Sequence, residues 1–280
     1  MHDYLNYRFE DTESFISTFD ETPLWSAAFG LLLLKHLKPA PNLMVLDIGS
    51  RAGFPLLELA QRLGKTCTCY GLDPWINANK RANEKISNYG ITNATIIEGS
   101  AESIPFGDNS LDFIVSNLGI NNFEDPAIVF GECFRVLKPG GQLALTTNLN
   151  GHWQEFYDVF ANTLIETGNN ALIDELKLHQ EHRGTTESIS QLFTNAGFAS
   201  VEHHIDEFKM NFVDGSAFLN HSFIKLGWLA SWKALVPEGQ IDTFFPALED
   251  NLNKLASING SLLLTVPMAY IEAKKPKNYV

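Results

Sequence analysis

The alternation of apolar and polar segments in this chain predicts an α/β fold: a doubly wound, mostly parallel sheet of seven strands, with a helical N-terminal extension and a helical insertion late in the chain. Three observations lead there. Short apolar runs alternate with longer amphipathic segments from about residue 41 to 150, the pattern of strands and helices laid on both faces of a parallel sheet. The first run passes directly into a turn with two glycines and a helix start. Two further strand-like runs lie in the last third of the chain, on either side of an aromatic-rich stretch. At 280 residues and 45% hydrophobic composition the chain can bury a sizeable core, between one large domain and two small ones in size.

Each element has its reason. Residues 1–40 read as a helical extension that stops at Pro39-Ala40-Pro41. LMVLDI (43–48) is too short and apolar for a surface helix and reads as a buried strand between Pro41 and Gly49. The helix at 54–63 opens on Pro55, tolerated in a first turn. Strands follow at 67–72, 94–98, 111–115 and 141–147, with helices at 75–88 and 125–137 between them. GHWQEFYDVFANTLIETG and NNALIDELKLHQEHRG read as helices, and 186–196 as another, capped by Thr185 or Thr186 and ended by Gly197. VEHHIDEFKMNF reads as a strand and SLLLTVPMAYIEAK as its antiparallel partner. The domains expected are 1–40, a core of 41–213 with 260–280, and a helical insertion at 214–259. The insertion reads as a lid, since open α/β sheets hold ligands at the carboxyl ends of their strands.

The chemistry concentrates in VLDIGSRAGFPLLELA (45–60). Asp47 falls near the carboxyl end of the first strand. Gly49 and Gly53 permit backbone angles closed to other residues and a close ligand approach, and the first amides of the next helix face the same place. The second strand ends at Asp73, twenty residues after Gly53, about where nucleotide-binding α/β folds carry a ribose-binding acid. The spacing Asp47-x-Gly49-x-Arg51-x-Gly53 is tighter than the dinucleotide pattern G-x-G-x-x-G, and an acid before the first glycine repels a pyrophosphate. The pattern favours a cationic, phosphate-free nucleoside.

Here the chain resembles the class I S-adenosylmethionine-dependent methyltransferases, whose acid-x-G-x-G-x-G motif holds the amino-acid part of the cofactor and whose second-strand acid holds its ribose. Asp47 and Asp73 match those positions. EGSAESIPFGDNSLDFIVSN (98–117) resembles the family's third and fourth strands with the adenine-clasping loop, and FRVLKPGGQLALTT (134–147) its fourth helix, turn and fifth strand. Four ordered motifs over roughly a hundred residues carry more weight than any one of them. The group most similar is that of the quinone-biosynthesis and sterol methyltransferases, which act on small molecules. The resemblance implies S-adenosyl-L-methionine as cofactor, a Rossmann-like methyltransferase fold, and a cofactor site of Asp47, Gly49, Ser50, Arg51, Gly53, Asp73, Pro74, Ser100, Ala101, Glu102 and Asn117. Two positions depart from it. Arg51 stands at the middle glycine, either pointing outward or pairing with the cofactor carboxylate. Ser100 stands where an acid often accepts from the adenine amine, a bond that a hydroxyl can also accept.

A sulfonium methyl is already activated, so its transfer needs orientation and a dry pocket; a base is required only when the acceptor is a hydroxyl or a protonated amine. No single catalytic residue is implied. His152 and His221 are the histidines best placed for a base, against the plainer reading that each is structural or exposed. For the acceptor side the candidates are Trp25, Phe29, Asn121, Phe218 and His221, against the reading that the rings are core and that the asparagines of NLGINN shape a turn.

Charge and composition narrow the partners. A net charge of −13, with no basic cluster beyond AKKPK, argues against nucleic acid. The longest near-apolar run, SAAFGLLLL, is too short for a membrane span. Three cysteines, Cys67, Cys69 and Cys133, show no metal spacing and read as reduced thiols in a cytoplasmic protein rather than as ligands for an arsenic-type substrate. His203 and His204 are neighbours on a strand and face opposite ways, while His179 and His182 lack a third ligand, so no metal is expected. The partner expected is a small-molecule methyl acceptor, with a homodimer left open. Two rival readings remain at this stage: a nicotinamide oxidoreductase, and a methyltransferase-like scaffold without catalysis.

Overall fold

The computed structural model describes residues 3–8, 11–19, 24–181 and 183–277. In chain order the elements are α1 (Glu13–Phe19), α2 (Leu24–His36), β1 (Met44–Ile48), α3 (Leu56–Leu63), β2 (Thr68–Asp73), α4 (Ile76–Asn88), β3 (Ala94–Glu98), β4 (Leu111–Asn117), α5 (Pro126–Val136) and β5 (Leu137–Asn148). There follow α6 (Gln154–Glu166), α7 (Ile173–Glu181), α8 (Thr186–Asn195), β6 (Ala199–Phe212), α9 (Gly215–Asn220), α10 (Ser222–Gly227), α11 (Leu229–Ala234), α12 (Ile241–Asn259) and β7 (Leu262–Lys274).

The seven strands form one sheet in the order β3-β2-β1-β4-β5-β7-β6. The pairs among β1 to β5 are parallel, and β7 runs antiparallel to β5 with Gln142 opposite Lys274 and Asn148 opposite Met268. The expected mostly parallel, seven-stranded α/β sheet is what the chain forms. Its middle strands carry apolar residues on both faces because both faces are covered: Val45, Leu46, Leu111, Ile114, Val115 and Ala144 have no exposed surface. β5 starts earlier than the run at 141–147 predicts. The Pro139-Gly140-Gly141 turn is absorbed into the strand, with Gly140 N–H donating to Lys275 C=O at 2.8 Å and Lys275 N–H to Gly141 C=O at 2.9 Å.

The chain divides into two compact units. The larger comprises Asp11–Asn148, Gly184–Asp206 and Met268–Val280; the smaller comprises Met1–Glu10, Leu149–Arg183 and Glu207–Pro267. Residues 1–40 thus do not stand apart, since their beginning is counted with one unit and α1 and α2 with the other. Segment 214–259 is helical and lies in the smaller unit, together with α6 and α7, which sequence reading attached to the core. That unit has an aromatic core of its own: Trp153, Phe156, Phe160, Phe218, Trp232, Phe244 and Phe245 are all buried to 1% exposure or less. Tyr4 is stitched into it by donating its hydroxyl to Phe245 C=O at 3.4 Å.

Helix boundaries follow local chemistry. α5 starts after Asp125, whose carboxylate accepts from the amides of Ala127 and Ile128, with Pro126 in the first turn. α8 opens on a capping box between Thr185 and Ser188. Pro55 sits one place before α3, as its N-cap.

Candidate active site

The site is built at the carboxyl ends of β1 and β2, within the larger unit. β1 places Asp47 opposite Gly71 of β2 and Val115 of β4, with no exposed surface. Among the described residues neither of its carboxylate oxygens has a hydrogen-bond partner. Burial pushes this carboxyl well above its usual range; the Leu56 amide at the start of α3 opposes the shift without closing a bond of normal geometry, and the negative charge of Asp73 adds to it. A buried carboxylate without donors is costly, and a ligand bearing an ammonium or hydroxyl group relieves that cost. Ser50, also fully buried, has a hydroxyl with no partner among the described residues.

The loop between Asp47 and α3 is shaped by positive φ angles. Gly49 has φ +78° and Gly53 φ +101°; a Cβ on Gly53 would lie 2.8 Å from Leu57 Cδ1, so both conformation and space demand glycine there. Arg51 keeps the left-handed bend at φ +44° in spite of its side chain, which is exposed. Its amide donates to Asp73 Oδ2 at 2.9 Å. Asp73, only 4% exposed, also accepts from Trp75 N–H at 2.8 Å, and its backbone carbonyl accepts from Asn79 Nδ2 at 2.8 Å. The carboxylate that the resemblance assigns to the ribose is therefore fixed by the same loop that carries the glycines. Pro74, next to it, is exposed.

After β3, Ser100 donates its hydroxyl to the Glu102 carboxylate, while Glu102 N–H donates back to Ser100 Oγ at 3.2 Å. The bond from Ser100 holds the Glu102 carboxyl below the usual range, helped by backbone amides around Glu124. The acid of this turn is thus Glu102, with Ser100 as its hydrogen-bond donor and Ala101 buried between them.

At the ends of β4 and β5 an amide and hydroxyl network forms. Asn117 Nδ2 donates to Ser26 C=O at 3.0 Å and Asn117 Oδ1 accepts from Thr146 Oγ1 at 2.7 Å. Asn121 Oδ1 accepts from Thr147 Oγ1 at 2.9 Å, and Asn121 Nδ2 donates to Asn148 Oδ1 at 2.8 Å. These bonds use the side chains of Asn117 and Asn121 to fix the loop, the plainer of the two readings given above. Asn148, 1% exposed, keeps an Nδ2 with no partner at the tip of β5. Sequence reading passed over Asn148, and also Trp75, whose Nε1 donates to Asp11 Oδ1 at 2.8 Å. The signal for Trp75 was its place two residues after Asp73; for Asn148 it was the polar end of an apolar strand.

Trp25 and Phe29 of α2 pack ring on ring at 5.2 Å, and Phe29 has no exposed surface. Phe218 belongs to the core of the smaller unit, wedged among Trp153, Phe156, Phe212 and Trp232 at 5.2–5.8 Å; this corrects its reading as a ligand-facing ring, because these neighbours occupy its surroundings. In that unit His152 lies against Trp153 at 4.1 Å and lines a small cavity of about 30 Å³ with Tyr157, His179, Gln180 and Arg183. Burial, then the charge of Arg183, push its pKa well below the ordinary value. His221 is half-buried with an unpartnered Nδ1, and burial and Lys225 lower its pKa. His182 lies outside the described residues.

Cys67, Cys69 and Cys133 are free and buried; desolvation pushes the Cys69 thiol up to about 12 and that of Cys133 higher, so neither supplies a thiolate at neutral pH. Among the described residues no group of three or more His, Cys, Asp or Glu converges as a metal site, and no helix is long and apolar enough to cross a membrane.

Comparison with known proteins agrees with this geometry. Residues 46–145, from β1 into β5, match the family model described as a methyltransferase domain. Demethylmenaquinone methyltransferase from Anoxybacillus flavithermus is 29% identical over 182 residues, covering 60% of this chain and 75% of its own, and that from Listeria welshimeri is 27% identical over 180 residues. Among solved structures, a putative methyltransferase from Bacillus halodurans superposes with TM-score 0.56 at 20% identity, covering 91% of this chain and all of its own. Phosphoethanolamine N-methyltransferase 2 from Haemonchus contortus, solved with S-adenosyl-L-methionine, superposes with TM-score 0.58 at 21% identity, covering 98% of this chain and 60% of its own.

The sheet order, the acid-glycine loop and the matched model together define residues 46–145 as a class I methyltransferase domain. The activity is S-adenosylmethionine-dependent methyl transfer to small molecules. S-Adenosylmethionine is its cofactor, and neither the oxidoreductase nor the inactive scaffold is favoured.

Proposed function

We propose that the cofactor is held by Asp47, Gly49, Ser50, Gly53, Asp73 and the turn of Ala101 and Glu102, and that the acceptor is a small, partly apolar or aromatic metabolite of quinol type. The observation that carries the cofactor assignment is the buried Asp47 carboxylate without a donor, beside a fixed Asp73. An ammonium group completes Asp47, and the two ribose hydroxyls complete the free lone pairs of Asp73. The exposed Arg51 guanidinium reaches for the carboxylate of the same ligand. When bound, S-adenosylmethionine supplies a sulfonium methyl activated for in-line displacement. The chain's own part is to orient the acceptor and exclude water.

For the acceptor side we assign the Nδ2 of Asn148 at the tip of β5, with Trp25 as ring surface. The similarity to demethylmenaquinone methyltransferases supports a phenolic ring as the acceptor. The reduced cysteines support a cytoplasmic setting. The test is formation of S-adenosylhomocysteine with a panel of hydroquinones, phenols and small amines. Turnover with phenols and hydroquinones is expected; turnover confined to charged, fully polar amines would overturn the acceptor assignment.

A further inference from the structure

The smaller unit carries a second cavity that contains none of the residues described above as the cofactor site. It measures about 850 Å³, within the range of small-molecule pockets. Its walls are aliphatic, from Leu226 and Leu229 to Val236 and Ile241. Its charges are sorted by depth. Lys225 and Lys233 are half-buried, whereas the acids of the lining, Glu175 and Glu238, are exposed at the rim. Lys233 Nζ donates to Leu5 C=O at 2.9 Å, and Lys225 Nζ lies 5.6 Å from the centre of the Tyr7 ring. Among the described residues neither lysine has a carboxylate within ion-pair distance. In a chain of net charge −13, a lining that sets Arg8, Lys225 and Lys233 against Glu175 and Glu238 is a local reversal of sign.

We propose that this cavity binds a free single-chain amphiphile with an anionic head, of the long-chain carboxylate type. The head takes the spare N–H donors of Lys225 and Lys233, and Arg8 at the mouth adds a third cation. The chain lies along Leu226, Leu229, Val236 and Ile241, and transfer of its own apolar surface out of water favours binding. The volume of the cavity suits one chain rather than a bilayer surface. The site is independent of the methyl-transfer reading, and the two fail separately.

The experiment is calorimetry of dodecanoate with the full chain, with dodecanol as the uncharged probe, and with S-adenosylhomocysteine titrated into the same preparation as a check on folding and on the cofactor site. Saturable one-to-one binding of dodecanoate is expected, at least about tenfold tighter than dodecanol, and weakened about tenfold or more in the K225A/K233A double variant. Ala234→Trp, which fills the lining from an exposed position, should abolish it while S-adenosylhomocysteine still binds. Equal affinity for dodecanoate and dodecanol overturns the proposal without recourse to any variant. So does displacement of dodecanoate by S-adenosylhomocysteine, undiminished binding in the folded Ala234→Trp chain, or binding to phosphatidylglycerol vesicles without binding to the monomeric probe.

Discussion

Replacing Asp73 by alanine separates a ribose-binding role from a merely structural one. In the folded chain this carboxylate, 4% exposed, accepts two amide bonds, from Arg51 at 2.9 Å and Trp75 at 2.8 Å. Bonds to a charged acceptor contribute about 1.5–3 kcal/mol each, but Arg51 is exposed and Trp75 half-buried, so water takes over part of the loss. The expected cost to stability is about 1–3 kcal/mol in all. The ribose hydroxyls lose a charged acceptor as well, worth another 1–3 kcal/mol or so, which is about a five- to 150-fold weaker affinity for S-adenosylhomocysteine. Thermal unfolding without ligand reads the first quantity and titration calorimetry reads the second. Asp73→Asn, of equal size, should lose most of the affinity as well, because its amide group faces amide donors. If either variant melts earlier yet binds S-adenosylhomocysteine within twofold of the parent, Asp73 only staples the loop and the ribose assignment is wrong.

Three more outcomes are expected. The raised Asp47 pKa means that the folded chain holds a proton which the unfolded chain gives up near pH 4, so stability without ligand is fullest below that value and declines as pH rises through the folded value. Asp47→Asn should flatten that decline in unfolding curves taken from pH 5 to 8, and should abolish the proton release that calorimetry in buffers of differing ionisation heat detects when S-adenosylhomocysteine binds. Arg51→Gly should weaken S-adenosylhomocysteine about tenfold while leaving 5′-methylthioadenosine, which has no carboxylate, unchanged; equal losses for both ligands would refute the carboxylate contact. The depressed pKa of His152 stabilises the fold above pH 6.5 or so and is lost as pH falls toward its folded value, so His152→Phe should recover up to about 2 kcal/mol of the acid-induced loss at pH 5. Melting curves at pH 5 and 7.5 check it, and a variant that loses stability equally at both would speak against it.

Much of this was legible in the sequence, and for identifiable reasons. Buried parallel strands leave unbroken apolar runs, so β1 to β4 were found to within about two residues. Asp47 and Asp73 were legible because a strand tip followed by glycine is a local pattern. What was not local was missed. The membership of Tyr4 in the smaller unit rests on a bond to Phe245, 241 residues away, which no window can show. Phe218 presents the same ring to a core or to a ligand, and only its neighbours decide. Ser100 looked like a weak substitute for an acid until the structure placed Glu102 in contact with it.

The smaller unit is assembled from three separate stretches, the last ending at Pro267, and the larger one is completed only by the residues from Met268 onward. During synthesis, therefore, the smaller unit cannot close before Pro267, midway along β7, and the larger one not before the residues that follow it. Neither unit is itself a single contiguous segment. Protease nicking or truncation within the final strand should therefore disturb both, since residues of β7 belong to each, and neither can be excised as one segment.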